Sequence, residues 1–512
     1  MILSEELSSY CKSGLLSEEG LRAIIERHGL KLNAQYNGDD VGEYAFFVDA
    51  CYNKRVTEGI IRCLLEYFPD AISATDNRFG WTPLHIACWN ENVTLSIIQC
   101  LLDADPDSVR NVTNIYGSMP LHTLCRERDL DEIALMQILK LLIEKCPEAV
   151  RHVDKNGKLP IHIAAGGRSP EFCRVLIEAY PGSERIPGAN GALPLDSACT
   201  DSNFGTVQYL YNLFPAAIHY QTTVHGYYPI HSAMLDVFLP FGGNAVAAVK
   251  IVKFLLDCDP NVKLQRCEGK SLLEFACDSG LHNDRNIHDA LANIEVIYDA
   301  HPEAIYALDI ETCHQHVQAF LNWELVYARQ AKDHRLMTTP DNNGRLPLHK
   351  ALQNNVRLGS IKLLVKGNPA ALQSADENGS LPLHLACQHH DSTDVVVYLV
   401  GLDPSTLDAV DQDGNTALHL LCRSARHDII ALFLDEFDAV SVSTRNADEK
   451  LPIDLLSESN AVEDRHSMEY VESLYRLLRA NPEMIMDIDL QTIQSSASTL
   501  PCPNGKKRKF GQ

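Results

Sequence analysis

The chain has 512 residues, 22% of them charged and 45% hydrophobic, and its 44 Lys and Arg stand against 68 Asp and Glu, for a formal net charge of -24. A chain of this length exceeds what one compact core usually holds, so several domains or an elongated repeat array are expected. The acid excess repels phosphate backbones and anionic lipid headgroups, so nucleic acid and membranes are poor partners. It favours a basic protein partner, or else serves only to keep the chain soluble.

The start of the chain, interpreted as an N-terminal helical cap over residues 1–42, shows no targeting signal. It lacks the basic and apolar regions of a signal peptide, and Ile2 occupies the position where myristoylation requires glycine. No segment of the sequence approaches the roughly 18 consecutive apolar residues that span a bilayer. We therefore expect a soluble intracellular protein, cytoplasmic, nuclear or both, whose 16 cysteines remain reduced.

From residue 43 onward one phrase recurs, written Gly-Trp-Thr-Pro-Leu-His-Ile-Ala-Cys in the copy that begins at Gly80. Its proline position is occupied by Pro83, Pro120, Pro160, Pro194, Pro229, Leu272, Pro347, Pro382, Ala417 and Pro452. Most steps are close to 35 residues, and the interval between Leu272 and Pro347 spans two periods. Self-similarity at such a period is the signature of a repeat protein, here with about twelve units.

Each period predicts two helices and a turn. Proline in the phrase suits the first turn of a helix, where its missing N–H costs nothing. A second apolar run at helical spacing is ended by another proline, as at Pro69 and Pro147. An Asn-Gly pair, as at Gly157 and Gly379, then supplies the positive φ of a tight turn. Such a unit cannot bury its apolar face alone, so neighbouring units must stack into an all-α solenoid.

The repeated phrase resembles the ankyrin repeat, closely at nine places between residues 80 and 460 and more weakly over 43–485. Two features depart from the family pattern. Leucine replaces the threonine before proline at Leu159, Leu193, Leu346 and Leu381. The second helix is lengthened and ends in triplets like Pro-Glu-Ala, which is similar to the large ankyrin families of microalgae. The resemblance implies a solenoid that binds protein partners on a concave surface.

The repeats are predicted to form a first block at 43–311 and a second block at 340–487. Residues 312–339 are interpreted as a long helix or a decayed repeat, because neither Gly nor Pro occurs over 312–336. The apolar segment 237–243 is expected either to mark an exposed contact site or to fold back over the adjacent repeat. Residues 488–512 are predicted to be a disordered tail.

A basic cluster in this tail contrasts with the acidic body of the protein. It consists of Lys506, Lys507, Arg508 and Lys509. The cluster resembles a nuclear-import signal that an import receptor reads as an extended peptide. The alternative is a tail that no receptor reads.

Several residue pairs suggest metal or phosphate chemistry, but the repeat explains them. His85 and Cys88 have the spacing of zinc ligands, yet the pair recurs once per unit, and helices of neighbouring units lie ~8–10 Å apart. That separation is too large for pairs from adjacent units to share one tetrahedral ion. The run at Cys313 and His314 has no second ligand cluster, and Lys270 lacks the first glycine of a phosphate-binding loop. We expect no catalytic, cofactor-binding or metal-binding residue.

The resemblance to ankyrin repeats implies that turn tips and first helices contact the partner. The candidate partner-binding residues are Asn77, Arg78, Trp81, Trp89, Tyr116, Lys155, Asn156, His225, Tyr227, Glu377 and Asp413. Trp and Tyr often dominate binding energy, which favours the anchors Trp81, Trp89, Tyr227 and Tyr228. Packing at a helix start is the alternative for Trp81. The expected function is a protein–protein interaction scaffold or adaptor. The alternative is a regulatory or inhibitory subunit that occludes an enzyme or a transcription factor in the nucleus.

Overall fold

The computed structural model describes residues 3–29, 44–76, 78–126, 130–235, 245–278, 287–437, 441–458 and 467–480. These ranges form α-helices and short 3-10 helices without a β-strand, and an isolated bridge pairs Cys267 with Lys270. The predicted all-α fold of helix–turn–helix units is confirmed. The predicted tip residue Asn77, the segment 237–243 and the basic cluster at 506–509 lie outside the described residues.

The chain divides into two compact units, Met1–Ile297 and Tyr298–Gln512. The first unit contains α1 (Leu3–Lys12), α2 (Glu18–Arg27), α3 (Ala45–Tyr52), α4 (Glu58–Tyr67), α5 (Pro83–Ala87), α6 (Leu95–Ala104), α7 (Pro120–Arg126), α8 (Glu132–Lys145), α9 (Pro160–Gly167), α10 (Pro170–Ala179), α11 (Pro194–Thr200), α12 (Phe204–Leu213), α13 (Pro229–Leu235), α14 (Ala245–Cys258) and α15 (Leu272–Asp278). Helix α16 (Ile287–Ala300) crosses the boundary between the units.

The second unit continues with α17 (Gln315–Lys332), α18 (His334–Thr338), α19 (Pro347–Gln353), α20 (Leu358–Gly367), α21 (Pro382–His389), α22 (Thr393–Leu402), α23 (Ala417–Arg423), α24 (His427–Glu436), α25 (Pro452–Glu458) and α26 (Met468–Ala480). Short 3-10 helices follow most second helices, where the proline that ends the helix begins one more turn, as at Pro69–Ser73 and Pro369–Gln373. The apolar faces of the helices form one buried cluster from Leu3 to Leu176 in the first unit and another from Tyr327 to Leu477 in the second.

The histidine of the repeated phrase caps its own helix. Helix α9 begins at Pro160, and His162 is its third residue. The backbone N–H of Leu159, just before the helix, donates to Nδ1 of His162 at 3.1 Å. The same bond joins Leu381 to His384 at 3.0 Å. In each case the imidazole accepts from the backbone N–H of the residue before the proline, and that residue's side chain takes no part. Leucine can therefore replace threonine at this position without losing the bond.

The turn between repeats is closed by a short polar side chain at its start, most often aspartate or asparagine and at Thr113 and Thr222 a threonine. The Asp154 carboxylate accepts backbone N–H bonds from Asn156 at 2.9 Å and Lys158 at 2.8 Å, and the Asp154 N–H donates to the Lys158 carbonyl. Gly157 has a φ of +73°, and a Cβ there would lie within 2.4 Å of the Ala189 backbone nitrogen. Glycine is therefore required by both the backbone conformation and the neighbouring turn.

The segment between the two predicted blocks forms one helix, α17, followed by the short α18. Asp333 separates them and caps α18, with its side chain accepting the Arg335 N–H at 2.9 Å. Helix α17 packs against α20, and its Glu324 is 2% exposed. No helix within the described ranges is long and apolar enough to cross a membrane.

Candidate functional site

Backbone hydrogen bonds join the turn tips of neighbouring repeats. The N–H of Asn114 donates to the Phe79 carbonyl at 3.0 Å, and the N–H of Lys155 donates to the Tyr116 carbonyl at 2.8 Å. In the second unit the Gln412 N–H donates to the Asn378 carbonyl in the same way. These bonds fix the spacing of the tips, so their side chains form a continuous surface along each stack.

The histidines of the repeated phrase also connect successive repeats. Nε2 of His85 lies 2.9 Å from the Ser118 carbonyl, and Nε2 of His384 lies 3.0 Å from the Ala409 carbonyl. We call these contacts the histidine ladder. Burial lowers the pKa of His85 to about 4, so the ring is neutral at physiological pH. Within the described residues, no three His, Cys, Asp or Glu side chains are grouped so as to hold a metal ion.

The ladder is interrupted in the middle of the first unit. Asp196 stands where the phrase usually has histidine, and its Oδ2 accepts the Leu193 N–H at 2.8 Å. Among the described residues neither Oδ1 of Asp196 nor Nε2 of His231, in the next repeat, has a hydrogen-bond partner, although both atoms are buried. Burial raises the pKa of Asp196 to about 7.

A groove of about 420 Å³ opens at this interruption, on the face formed by turns and first helices. We call it the central groove. Its polar and aromatic lining comprises Arg126, Lys158, His162, Asn190, Asp196, Ser197, Thr200, Asp201, Thr222, His225, Tyr227 and Ser232. A shallower depression beside it is lined by Arg126, Asn156, Lys158, Ala189, Asn190 and Val224. The two share Arg126 and Lys158, so they form one continuous surface.

Aromatic side chains lie together on the turns and first helices that precede the groove. This aromatic cluster consists of Tyr52, Phe79, Trp81, Trp89 and Tyr116. The Trp81 and Trp89 ring centroids are 5.4 Å apart, and Phe79 stacks on Tyr116 at 6.4 Å. Trp89 is 37% exposed, whereas Trp81 is half-buried and its Nε1 has no partner in the described structure. Arg126 lies over the Tyr116 ring at 5.8 Å and joins the cluster to the central groove.

A second group of rings lies at the other end of the groove. The rings of His225 and Tyr227 stack at 5.2 Å, and Tyr227 contacts Phe275 edge-on at 5.6 Å. His225 is exposed, and Tyr227 and Tyr228 are half-buried. The central groove therefore lies between two aromatic surfaces within the first unit.

The structure places the sequence-predicted residues in several groups. Trp81, Trp89 and Tyr116 meet in the aromatic cluster, with Arg78 beside Phe79. Asn156, His225 and Tyr227 line the groove surface, and the exposed Lys155 donates from Nζ to the Asn114 carbonyl at 2.5 Å. Glu377 and Asp413 are exposed on turn tips of the second unit, outside this groove.

Sequence reasoning missed Tyr52, Phe79, Arg126, Lys158 and Asp201 as members of this surface. Arg126 and Asp201 come just at or after the ends of first helices, a position that the repeat alignment makes recognisable. The sequence shows that Asp196 replaces the histidine of the phrase. It does not show that one carboxyl oxygen is buried without a partner among the described residues, because this depends on the packing of the neighbouring repeat.

Comparison with family models matches four segments of the chain to ankyrin repeats. One model, described as ankyrin repeats in three copies, matches residues 134–223, 305–408 and 361–446. A second, described as ankyrin repeats in many copies, matches residues 49–102. Together these segments cover more than half of the chain. A search of curated proteins finds no match.

Proposed function

Because this chain belongs to the ankyrin-repeat family, whose repeats generally mediate protein–protein interactions, we propose that it is a scaffold or adaptor that holds a protein partner. The partner lies on the turns and first helices of the first unit, across the aromatic cluster and the central groove. The observation that carries this proposal is the aromatic cluster, because aromatic rings that are grouped on one surface and at least partly accessible are typical of the energetic centre of an interface.

Further support comes from how the surface is built. Backbone bonds between turn tips and the histidine ladder hold the side chains on stacked helices, so little conformational freedom is lost on binding. Arg126 and Lys158 supply polar contacts next to the rings. A rigid apolar surface with polar groups at its edge is the arrangement that stable protein interfaces use.

The proposal assigns no catalytic step to the chain. His85 and His122 use Nδ1 to cap their helices and Nε2 to contact the next repeat, and burial keeps both rings neutral, with their pKa lowered to about 4. A buried ring that already uses both nitrogens is not available as a general base. The work of the protein is therefore binding, inside the cell, to a partner whose basic groups suit the acid excess of the chain.

A second candidate is a regulatory subunit that occludes an enzyme or a transcription factor in the nucleus. The basic cluster Lys506, Lys507, Arg508 and Lys509 favours it, because import receptors bind such segments. Imaging of a fluorescent fusion distinguishes the two candidates. Nuclear accumulation that is lost when the four residues are changed to alanine supports the regulatory subunit, and an even cellular distribution in both proteins supports the cytoplasmic scaffold.

Affinity capture with two matched single variants tests the main proposal. Trp89→Ala removes the most exposed indole of the aromatic cluster, and Leu213→Ala removes a side chain that is 40% exposed at the end of α12, outside the groove. We expect the full chain with Trp89→Ala to lose proteins that the unmodified chain captures. The Leu213→Ala chain should keep them. Identical partner sets for all three chains would refute binding at the aromatic cluster.

A further inference from the structure

One face of helix α17 is exposed and apolar. The buried residues Val317, Leu321 and Ala328 recur at helical spacing and mark the side of α17 that packs on the second unit, chiefly on α20. On the opposite side Trp323 is 54% exposed and Val326 is 49% exposed. Because residues three apart are neighbours on a helix surface, these two side chains form one apolar patch, and exposed apolar patches mark interaction sites.

This face carries a positive charge and no negative one. It comprises Ala319, Asn322, Trp323, Val326 and Arg329, and we call it the α17 stripe. Glu324, the one acidic residue of α17, lies on the buried side, where its carboxylate accepts from the Ser360 hydroxyl at 2.6 Å. Among the described residues the exposed Arg329 has no carboxylate partner, whereas Nε of Arg345 in the same unit lies 3.5 Å from the Asp376 carboxylate. The guanidinium of Arg329 is therefore available to a partner.

We propose that the α17 stripe binds an amphipathic helix of a protein partner, which places apolar side chains on Trp323 and Val326 and an Asp or Glu opposite Arg329. The stripe favours a helix, because side chains spaced three and four residues apart form ridges that pack into the grooves of a second helix. Charge complementarity favours the acidic residue, because a guanidinium pairs with a carboxylate through two hydrogen bonds. This second binding surface goes beyond the proposed function, since residues of the second unit alone form it.

Two other occupants fit the stripe less well. A second copy of this chain that docked through the same face would bring no carboxylate to Arg329, because the stripe itself has none. An anionic membrane is a broad surface and would also meet the acid excess of the chain, whose formal charge is -24. A single helix covers only the stripe, and repulsion from carboxylates more than about 8 Å away is screened at physiological salt. The local pair with Arg329 therefore outweighs the net charge.

Two peptides test the charge that the stripe selects. Both are hydrocarbon-stapled helices with leucines three and four residues apart on one face, and the remaining surface carries glutamates in one peptide and lysines in the other. Fluorescence anisotropy measures their binding to the full chain. We expect the glutamate peptide to bind about tenfold more tightly, a difference of about 1.4 kcal/mol, although the net charge of the chain attracts the lysine peptide.

Matched variants on another helix provide the controls. Trp323→Ala removes the apolar anchor, and Arg329→Glu reverses the charge of the stripe. Tyr475→Ala and Arg479→Glu make the same kinds of change at exposed residues of α26. We expect Trp323→Ala to weaken binding of the glutamate peptide about tenfold and Arg329→Glu to reverse the preference, so that the lysine peptide binds more tightly. The two α26 variants should bind both peptides as the unmodified chain does, and all four should keep its thermal midpoint, because the changed side chains are exposed.

Several results would overturn the proposal. They are binding of the lysine peptide that is equal or tighter, binding of neither peptide, a preference for glutamate that survives Arg329→Glu, and equal losses in the α26 variants. A dimer in sedimentation that Trp323→Ala abolishes would instead assign the stripe to a second copy. Flotation with phosphatidylserine vesicles that the same variant abolishes would assign it to a membrane, and either result would contradict the acidic helix.

Discussion

The histidine of the repeated phrase uses its two ring nitrogens for two different hydrogen bonds. In His384, Nδ1 accepts the Leu381 N–H and Nε2 lies 3.0 Å from the Ala409 carbonyl. Because Nδ1 is an acceptor, the proton sits on Nε2 and can be donated to that carbonyl. The residue therefore begins its own helix and fastens the next turn at the same time.

Removing this ring should destabilise the second unit. His384→Ala deletes both bonds, leaves the Leu381 N–H and the Ala409 carbonyl without this partner, and opens a buried space, for an expected loss of about 2 to 4 kcal/mol. His389→Ala is the control, because His389 is an exposed residue of the same helix, α21. Thermal unfolding followed by circular dichroism measures both. Equal shifts for the two variants would contradict the role of the ladder.

Asp196 predicts a dependence of stability on pH. Burial raises its pKa to about 7, above the ordinary value of 3.8, so the folded state holds a proton that the unfolded state releases between these values. Stability is therefore lost as the pH rises through this window. Asp196→Asn removes the ionisable group, and we expect it to raise the free energy of unfolding at pH 8 by roughly 2 to 4 kcal/mol.

That gain should shrink as the pH falls from 7 towards 4, because the unfolded state gains less from releasing the proton as the pH approaches its pKa of 3.8. Denaturant unfolding of the two proteins at pH 8, 6 and 4.5 measures the difference. Asp201→Asn, a change of the same kind at an exposed residue, should show a much smaller effect of pH. A gain for Asp196→Asn that is independent of pH would show that the carboxyl is not held in its protonated form.

At the scale of the element, a buried polar contact joins side chains from three helices, and all three side chains belong to the second unit. The Tyr298 hydroxyl lies 2.8 Å from Oγ of Ser360, which donates to Oε2 of Glu324 at 2.6 Å. Tyr298, Ser360 and Glu324 come from α16, α20 and α17 in turn. The side chains are buried, and burial raises the pKa of Glu324. This contact fixes how α17 packs on the first regular repeat of the unit.

The close approach at this contact requires glycine next to Ser360. A Cβ on Gly359 would lie 2.7 Å from Cε1 of Tyr298, so Gly359→Ala is expected to lower stability by about 1 to 3 kcal/mol. Gly401→Ala, in α22, meets no atom within 4 Å and should be neutral or stabilising, because alanine favours a helix over glycine by about 1 kcal/mol. Thermal midpoints compare the two variants, and destabilisation by both to the same extent would contradict the packing argument.

Local chemistry explains which elements the sequence could predict. The prolines of the phrase begin α5 and α9, because proline fits the first helical turn, and the Asn-Gly pair at Gly157 forms its turn. The burial of Glu324 could not be read from α17, because its partner Ser360 lies 36 residues further along the chain. The central groove escaped prediction for the same reason: residues from four successive repeats line it.

For the whole molecule, net charge describes the binding surface poorly. The chain carries a formal charge of -24, yet the lining of the central groove includes the cations Arg126 and Lys158 as well as Asp196 and Asp201. Long-range attraction follows the total charge, whereas the contacts that select a partner follow the local order. The net charge therefore favours a basic partner at long range, but it does not specify the contacts that the partner makes.

Site-specific photocrosslinking tests most directly whether the turns and first helices of the first unit hold the partner. A photoreactive amino acid replaces Trp89 in one chain and Asp103, an exposed residue of the second helix α6, in another. Each full-length chain is irradiated in the cell, and the attached proteins are identified by mass spectrometry. We expect a partner joined to position 89 and absent from position 103. The same proteins joined equally at both positions would contradict the account.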